Sequence, residues 1–290
     1  MEKLKLLVQS KGSKKDPAFS EQLIEIEGEK YSFRDYFHDN GVKMLKEELI
    51  ISSHGNTELD LRIVKEISEL AKKGHKIVSL QQGGLYFAKP SLEAANMPTI
   101  PVISIPLDGG MWGGIDAFLA PQVPTGTAAI AGVGVGKYDT AARIAKEILT
   151  NEFEGVYLFR GTEKLKEKLE YFGIKILGEA DEGLKEGLVL GCMDGSNNHN
   201  SKLATLDKIG TISFFTPYKT KNHHEAAYLL TDMRISASKS AFVRGEENLA
   251  YFAAKIFSAY NPDIKKKLEE EAKEKANSYE ERKITLESFE

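Results

Sequence analysis

Strand-like and helix-like segments alternate along this chain, and the alternation occurs twice. Short runs rich in apolar and β-branched residues, such as "KLKLLV", "HKIVSL" and "TIPVISIP", are separated by segments such as "DLRIVKEISELAKKG", with apolar residues three and four positions apart. The first pattern is typical of buried strands and the second of amphipathic helices. Strands that alternate with helices form βαβ units, so we expect an α/β fold with a mainly parallel sheet and helices on both faces.

The second half of the chain repeats the element order of the first. The segments "DAFLAPQV", ending at Val123, and "AAYLLTDM", ending at Met233, occupy the same relative place, and the helical segments "DTAARIAKEIL" and "ENLAYFAAKIF" share their spacing of alanine and lysine. Similarity at a fixed offset indicates a duplicated module. We therefore predict two tandem three-layer α/β/α modules, residues 1–152 and 153–262, followed by a C-terminal helical arm, residues 263–290.

Composition restricts the classes of protein and partner. Of 290 residues, 41% are hydrophobic and 28% charged, with a net charge of −4, which supplies a core and gives no basic surface for nucleic acid. The single cysteine, Cys192, cannot form an internal disulfide, and no apolar run is long enough for a signal peptide or a membrane span. We expect a cytoplasmic protein without a nucleic-acid or membrane partner.

A glycine-rich segment, "GVGVGK" at residues 132–137, lies between a strand-like and a helix-like run. Backbone N–H groups at the start of a helix favour phosphate binding. However, a phosphate-binding loop has four residues between its glycines and Ser or Thr after its lysine, whereas Tyr138 follows Lys137 here. The second half keeps one glycine, Gly245, and two glutamates at the matching place. We therefore expect a strand-to-helix turn that the fold needs.

Polar loops follow several predicted strands, and together they resemble a known family. The segments are "SSHGNT", "QQGGLYFAKPSL", "PVISIP" and "VPTGTAA" in the first half and "CMDGSNNHNSKL" in the second. They are similar to the Ser-Ala-His-Arg loop, the Gly-Gly-Ala-Ala-His-Leu-Pro-Gly loop, the Pro-Val-Ile-Gly-Val-Pro strand and the Met-Pro-x-Gly-x-Pro-Val loop of one enzyme family of purine biosynthesis. This is the N5-carboxyaminoimidazole ribonucleotide mutase and aminoimidazole ribonucleotide carboxylase family, of which the chain resembles two divergent modules in tandem.

The resemblance implies a fold and an assembly. Modules of this family have parallel, flavodoxin-like or Rossmann-like sheets, and eight of them assemble with active sites between subunits. Two fused modules imply a homotetramer that resembles this octamer. The terminal "AAKIFSAYNPDIKKKLEEEAKEKA" resembles the family's last two helices, the last of which reaches a neighbouring subunit. Its thin apolar stripe favours a partner surface.

The resemblance also implies a reaction, either carboxylation of aminoimidazole ribonucleotide, or of a similar phosphorylated heterocycle, or carboxyl transfer on it. The co-substrate is carbon dioxide or bicarbonate, and no metal or organic cofactor is needed. His54 is the expected proton shuttle, because it follows a buried strand and histidine exchanges protons near neutral pH. The expected substrate-binding residues are Ser13, Asp16, Ser52, Ser53, Gln81, Gln82, Gly83, Gly84, Pro124, Gly126 and His199.

The family's Gly-Ser-x-Ser-Asp loop, which binds the ribose phosphate, has its nearest match at residues 12–16. Asp16 and Pro17 suit the N-cap and first position of a helix, a favourable place for an anion. The following segment, about residues 17–32, is interpreted as an insertion that forms a hairpin turning at Glu27–Gly28.

Three departures from the family bear on activity. The loop arginine is Gly55, the histidine of the second loop falls on Ala88, and Lys15 replaces the second serine of the first loop. The leading interpretation is an enzyme, a carboxylase (lyase) or a mutase (isomerase). Two alternatives stay open: a catalytically silent nucleotide-binding or assembly protein, and an enzyme with a different phosphorylated substrate. A metal site is unsupported, because His199 and Cys192 have no second spaced pair.

Overall fold

The computed structural model describes residues 3–51, 55–84, 87–109, 112–122, 125–194, 199–218 and 238–278. The strands are β1 (Lys5–Lys11), β2 (Leu23–Ile26), β3 (Glu29–Ser32), β4 (Lys43–Met44), β5 (Leu49–Ile50), β6 (Lys76–Gly83), β7 (Val102–Pro106), β8 (Ala131–Gly132), β9 (Val156–Phe159), β10 (Ile176–Glu179), β11 (Leu188–Asp194), β12 (Ile212–Tyr218) and β13 (Ala241–Phe242). The helices are α1 (Phe33–Asp39), α2 (Thr57–Lys72), α3 (Lys89–Asn96), α4 (Ile115–Leu119), α5 (Tyr138–Thr150), α6 (Glu163–Phe172), α7 (His199–Leu206), α8 (Glu246–Ser258) and α9 (Pro262–Asn277).

One large sheet contains all of these strands except β2 and β3. Its order is β10-β9-β11-β12-β13-β8-β7-β6-β1-β4, with β5 beside β1. Neighbouring strands are parallel except β8 and β13, which pair antiparallel at Gly132 and Phe242. When β4 and β5, which both pair with β1, are counted as one strand, the order on each side of that junction, from the outer edge inward, is second, first, third, fourth, fifth in chain sequence. The predicted α/β class with a mainly parallel sheet is confirmed.

Helices cover both faces of the sheet because successive strand side chains point to opposite sides. In β6, Val78 and Leu80 belong to the large core that includes α1 and α5, whereas Ile77 packs with α2 and α3. In β11, Leu188 faces the large core and Val189 faces α4 and α7. Burial on both faces explains the continuous apolar runs of the sequence.

The insertion forms the predicted hairpin, but the helix expected at Asp16 does not form. Strands β2 and β3 are antiparallel, and Glu27 and Gly28 between them have φ values of 55° and 87°, so the predicted turn is confirmed. In residues 3–51, a short 3-10 turn follows Pro17, and the first α-helix starts only at Phe33. Ser32 caps this helix, because its Oγ accepts a hydrogen bond from Asp35 N. The insertion therefore separates the first helix from the loop at residues 12–16.

The two halves are braced against each other by α5 and α8. In α5, Arg143 Nη1 donates to Thr211 O, just before β12 of the second half, at 2.6 Å. In α8, Ser258 Oγ donates to Thr99 O, just before β7 of the first half, at 2.9 Å. Each half therefore supplies a helix that lies against the strand starts of the other.

The C-terminal helix α9 packs on its own chain. Its buried side chains are Ile264 and Leu268, which join the large core beside α8. Near its end, Lys275 Nζ donates to Thr125 O at 3.1 Å. The thin apolar stripe of this helix thus finds a surface within the chain.

Candidate functional site

Loops from three neighbouring strands meet where the first-half strands end. Gly12 N, after β1, donates to Gln82 O in β6 at 3.1 Å. Leu107 N, after β7, donates to Gly83 O at 2.9 Å. Ligands of parallel sheets bind at this edge, beyond the carboxyl ends of the strands. We call the group of loops the first-half site; it consists of residues 12–16, 83–84 and 107–109.

Two glycines at the end of β6 are required by close packing. A Cβ atom on Gly83 would lie 2.3 Å from Cδ2 of Phe87, and one on Gly84 would lie 3.2 Å from Cα of Gly109. Gly83 is buried, whereas Gly84 is partly exposed. Only glycine permits such an approach without displacement of the neighbours. Gly84 therefore allows the loops after β6 and β7 to pack backbone against backbone, and it keeps part of its own bare backbone accessible.

Ser13 and Asp16 form a closed turn after β1. Asp16 Oδ2 accepts from Ser13 N at 2.9 Å, and Lys15 N donates to Ser13 Oγ at 3.1 Å. Burial raises the pKa of the Asp16 carboxyl, while the N–H of Ser13 and the charge of Lys11 oppose this shift. Lys14 and Lys15 are exposed beside it. The turn thus offers a carboxyl that can accept from hydroxyl groups and two cations that can pair with a phosphate.

Lys11 and Gln82 support this turn through side-chain hydrogen bonds to the backbone at Asp16 and Pro17. Lys11 Nζ donates to Asp16 O at 3.0 Å. Gln82 Oε1 accepts from Tyr138 OH at 2.6 Å, and its Nε2 donates to Pro17 O. Because both ends of the Gln82 amide are used inside the protein, this residue braces the site instead of presenting its amide to a ligand.

Gln81 faces away from this turn, on the other side of β6. It is buried, and its Nε2 donates to Ser79 Oγ at 3.2 Å and to Glu93. Alternation along a strand prevents two successive glutamines from pointing to the same side. The sequence did not identify Lys11 and Tyr138 as residues that support the first-half site. For Lys11, the available signal was a lysine in an otherwise buried strand.

The other predicted site residues either lie away from the first-half site or fall outside the described residues. Gly126 precedes β8, at the opposite end of the first-half strands, and its N–H donates to Asn248 Oδ1 in α8 at 2.8 Å. His199 begins α7, after β11 of the second half. Outside the described residues lie His54, Ser52, Ser53 and Pro124.

The N–H groups of the glycine-rich turn are used by the protein itself. Gly136 N donates to Pro106 O at 2.9 Å, Lys137 N to Gly134 O at 3.0 Å, and Tyr138 N to Gly136 O at 3.0 Å. A phosphate cradle needs such groups to be available to the anion. These hydrogen bonds support the interpretation as a structural turn.

We expect Gly136→Val to destabilise the protein by about 1–2 kcal/mol, because Gly136 has a φ of 68°, which a β-branched residue adopts at a cost. No atom lies within 4 Å of an added Cβ there, so the effect comes from the backbone. Lys137→Ala should change stability by less than about 0.5 kcal/mol. Urea unfolding measures both variants, and lost nucleotide affinity in a stable Lys137→Ala protein would contradict the structural-turn interpretation.

The described part of the chain offers neither a metal site nor a reactive thiol. It contains no group of three or more His, Cys, Asp or Glu side chains that could hold a metal ion. Cys192 is buried, and burial raises the pKa of its thiol to about 11, so the thiolate is scarce at neutral pH. None of the helices in the same ranges is long and apolar enough to cross a membrane.

In comparisons with known proteins, no family model and no curated protein matches this chain. A functional assignment therefore depends on the chemistry of the first-half site and on the motif resemblance.

Proposed function

We propose that the first-half site binds aminoimidazole ribonucleotide, or a similar phosphorylated heterocycle, and adds or transfers a carboxyl group on it. The observation that carries this proposal is the convergence of the Ser13–Asp16 turn with the bare backbone at Gly84. One element can hold a sugar phosphate and the other can admit a very small co-substrate. Both lie where parallel sheets bind ligands.

The turn after β1 would hold the ribose phosphate. The Asp16 carboxyl accepts hydrogen bonds from ribose hydroxyls, and the Ser13 hydroxyl is a donor for phosphate oxygens. Lys14 and Lys15, both exposed, add charge-assisted bonds to the phosphate. These lysines compensate for the cation lost at Gly55.

The partly exposed backbone of Gly84 would hold carbon dioxide against the heterocycle. The ring carbon forms the new carbon–carbon bond, and its C–H bond then breaks, returning an electron pair to the ring and a proton to a base. His54 is the proposed base. It follows β5, whose Ile50 lies in register with Lys11 at the end of β1, so the chain leaves the sheet beside the first-half site. A histidine exchanges such a proton near neutral pH.

We further propose that the halves, residues 1–152 and 153–262, are duplicated modules. The identical strand order on both sides of the β8–β13 junction supports this, as does the reciprocal bracing by α5 and α8. The loop at Gly126 would then serve the second module, because Asn248 holds it near the start of α8. Four such chains would form the homotetramer that the family's octamer implies.

A catalytically silent nucleotide-binding protein is the second candidate. It is favoured by the internal use of both Gln81 and Gln82, which leaves fewer polar groups for the reacting end of a substrate. The two candidates share the binding step and differ in turnover.

Calorimetric titration with aminoimidazole ribonucleotide tests the binding step. The unaltered protein should bind it, and Asp16→Asn should bind about tenfold more weakly, because a charged acceptor for the ribose hydroxyls is lost. Asp39→Asn, an exposed carboxylate with 66% of its side chain accessible, should leave the affinity unchanged. No binding by the unaltered protein, or equal affinity in the Asp16 variant, would contradict the proposal.

A further inference from the structure

Four polar side chains are buried together directly behind the first-half site. Asp60 in the first turn of α2, Lys89 and Glu93 in α3, and Gln81 in β6 are each no more than 3% exposed. Glu93 Oε1 lies 3.0 Å from Lys89 Nζ, and Glu93 Oε2 accepts from Gln81 Nε2. The carboxyl of Asp60 is near enough to Glu93 to raise the pKa of its carboxyl. Charged residues are seldom buried so completely unless they are paired.

Burial, with Asp60 nearby, favours the protonated form of Glu93. Two carboxylates repel each other, so a carboxyl group beside another one holds its proton more tightly. Burial raises the pKa of Glu93 to about 7; the neighbouring Asp60 raises it further, and Lys89 opposes the shift. Below that pH Glu93 holds its proton, and above it a negative charge is forced into a buried site.

This cluster connects the elements around Gly83 and Gly84. Gln81 lies two residues before Gly83 in β6, and α3 begins two residues after Phe87. The Phe87 ring packs so closely on Gly83 that a Cβ there would overlap it. A shift at the start of α3 therefore moves Phe87 and, with it, the end of β6.

We infer that Glu93 is a positioning residue of the first-half site, whose buried, protonated carboxyl locks α3 to the end of β6 beside Asp60 of α2. The polar groups that face it are Asp60 from α2, Lys89 from α3, and Ser79 and Gln81 from β6. Loss of the proton loosens the lock, so the order of the Gly83–Gly84 segment falls as the pH rises through neutrality. The role of this segment in ligand binding rests on the proposed function, whereas the lock itself does not.

The test uses the full chain and compares Glu93→Gln with Glu93→Ala and with the exposed control Glu58→Gln. Glutamine keeps the shape and neutrality of the protonated acid, so it should keep the lock closed at every pH. Infrared spectra should show a carboxylic-acid band that titrates near pH 7 and is absent only in the two Glu93 variants. Hydrogen exchange at residues 81–94, corrected for the intrinsic pH dependence, should be about tenfold faster in the unaltered protein than in Glu93→Gln at pH 8.

Persistence of the acid band in Glu93→Gln, or equal exchange in that variant and the unaltered protein at pH 8, would overturn the inference. This comparison stands even where Glu93→Ala fails to fold. Neither readout needs a ligand. Affinity for aminoimidazole ribonucleotide, measured at pH 6 and pH 8, should fall with pH in the unaltered protein and stay constant in Glu93→Gln. If the infrared and hydrogen-exchange results are as expected but the ribonucleotide does not bind, the proposed function is rejected and the role of Glu93 in positioning is still supported.

Discussion

Lys255→Met is expected to stabilise the protein at pH 7 by about 3 kcal/mol. Lys255 in α8 is fully buried, and its Nζ has one hydrogen bond, to Ala94 O in α3, at 3.5 Å. Burial lowers the pKa of this amine to about 7, which means that the charged form is strongly disfavoured in the folded protein. Each pKa unit of that shift corresponds to about 1.4 kcal/mol in the free energy of unfolding. The methionine variant gains this free energy but loses the hydrogen bond to Ala94 O, which reduces the total.

The pH dependence gives the sign of this effect a second test. Between pH 7 and about pH 10.5, the unfolded chain binds a proton at Lys255 that the folded chain does not, so this residue's contribution makes stability rise with pH. The advantage of the methionine variant should therefore shrink as the pH rises. Urea unfolding at pH 7 and pH 9 measures it, with the exposed Lys266→Met as control. A methionine variant that is less stable at pH 7, or whose added stability does not change with pH, would contradict this prediction. It would show that the folded protein offsets the cost of burying the Lys255 amine.

His54→Asn should lower turnover by on the order of a hundredfold, because asparagine keeps part of the hydrogen bonding but cannot exchange a proton near pH 7. Substrate affinity should change little, since under the proposed function the turn at Ser13 and Asp16, and not His54, would bind ribose and phosphate. The measurement compares turnover with melting temperature for this one variant.

His75→Asn is the matched control. His75 lies before β6, at the far end of the strand from the first-half site, and its Nδ1 accepts from Leu4 N at 3.1 Å. This variant should lose some stability and keep its turnover. A stable His54→Asn protein with turnover close to that of the unaltered chain would remove the catalytic assignment and favour the silent nucleotide-binding protein.

The fold was predictable because its signals are local and periodic. The apolar runs of β6 and β7 are buried on both faces, and α2 and α5 follow the three- and four-residue spacing seen in the sequence. The hairpin could be located from Gly28, since glycine is favoured at the second position of a two-residue turn with positive φ values, although Glu27 at the first position is not. The start of α1 could not be located, because the cap at Asp16 depended on whether the inserted segment continued as a helix or turned away.

The site was less predictable because it depends on side-chain direction and long-range contact. Ser13 and Asp16 follow β1 and Gly84 follows β6, as the sequence indicated, whereas Gln81, Gln82 and Gly83 lie inside β6 and not after it. A hydrogen bond from Gly12 N to Gln82 O joins the two segments. The sequence could not show which glutamine faces which side. Nor could it show that Glu93 is buried near Asp60, because residues far apart in sequence come together only when two helices pack.

The most direct test of the central claim is the formation of a carbon–carbon bond on the heterocycle. The full chain is incubated with aminoimidazole ribonucleotide and ¹³C-labelled bicarbonate, and separately with the N-carboxylated ribonucleotide, and the labelled or transferred carboxyl carbon is followed by NMR. We expect one of these two substrates to give a ring-carboxylated product at a rate on the order of a millionfold above the uncatalysed reaction, with most of this rate lost in His54→Asn. Tight binding of the ribonucleotide with no product from either substrate would contradict the carboxylation proposal.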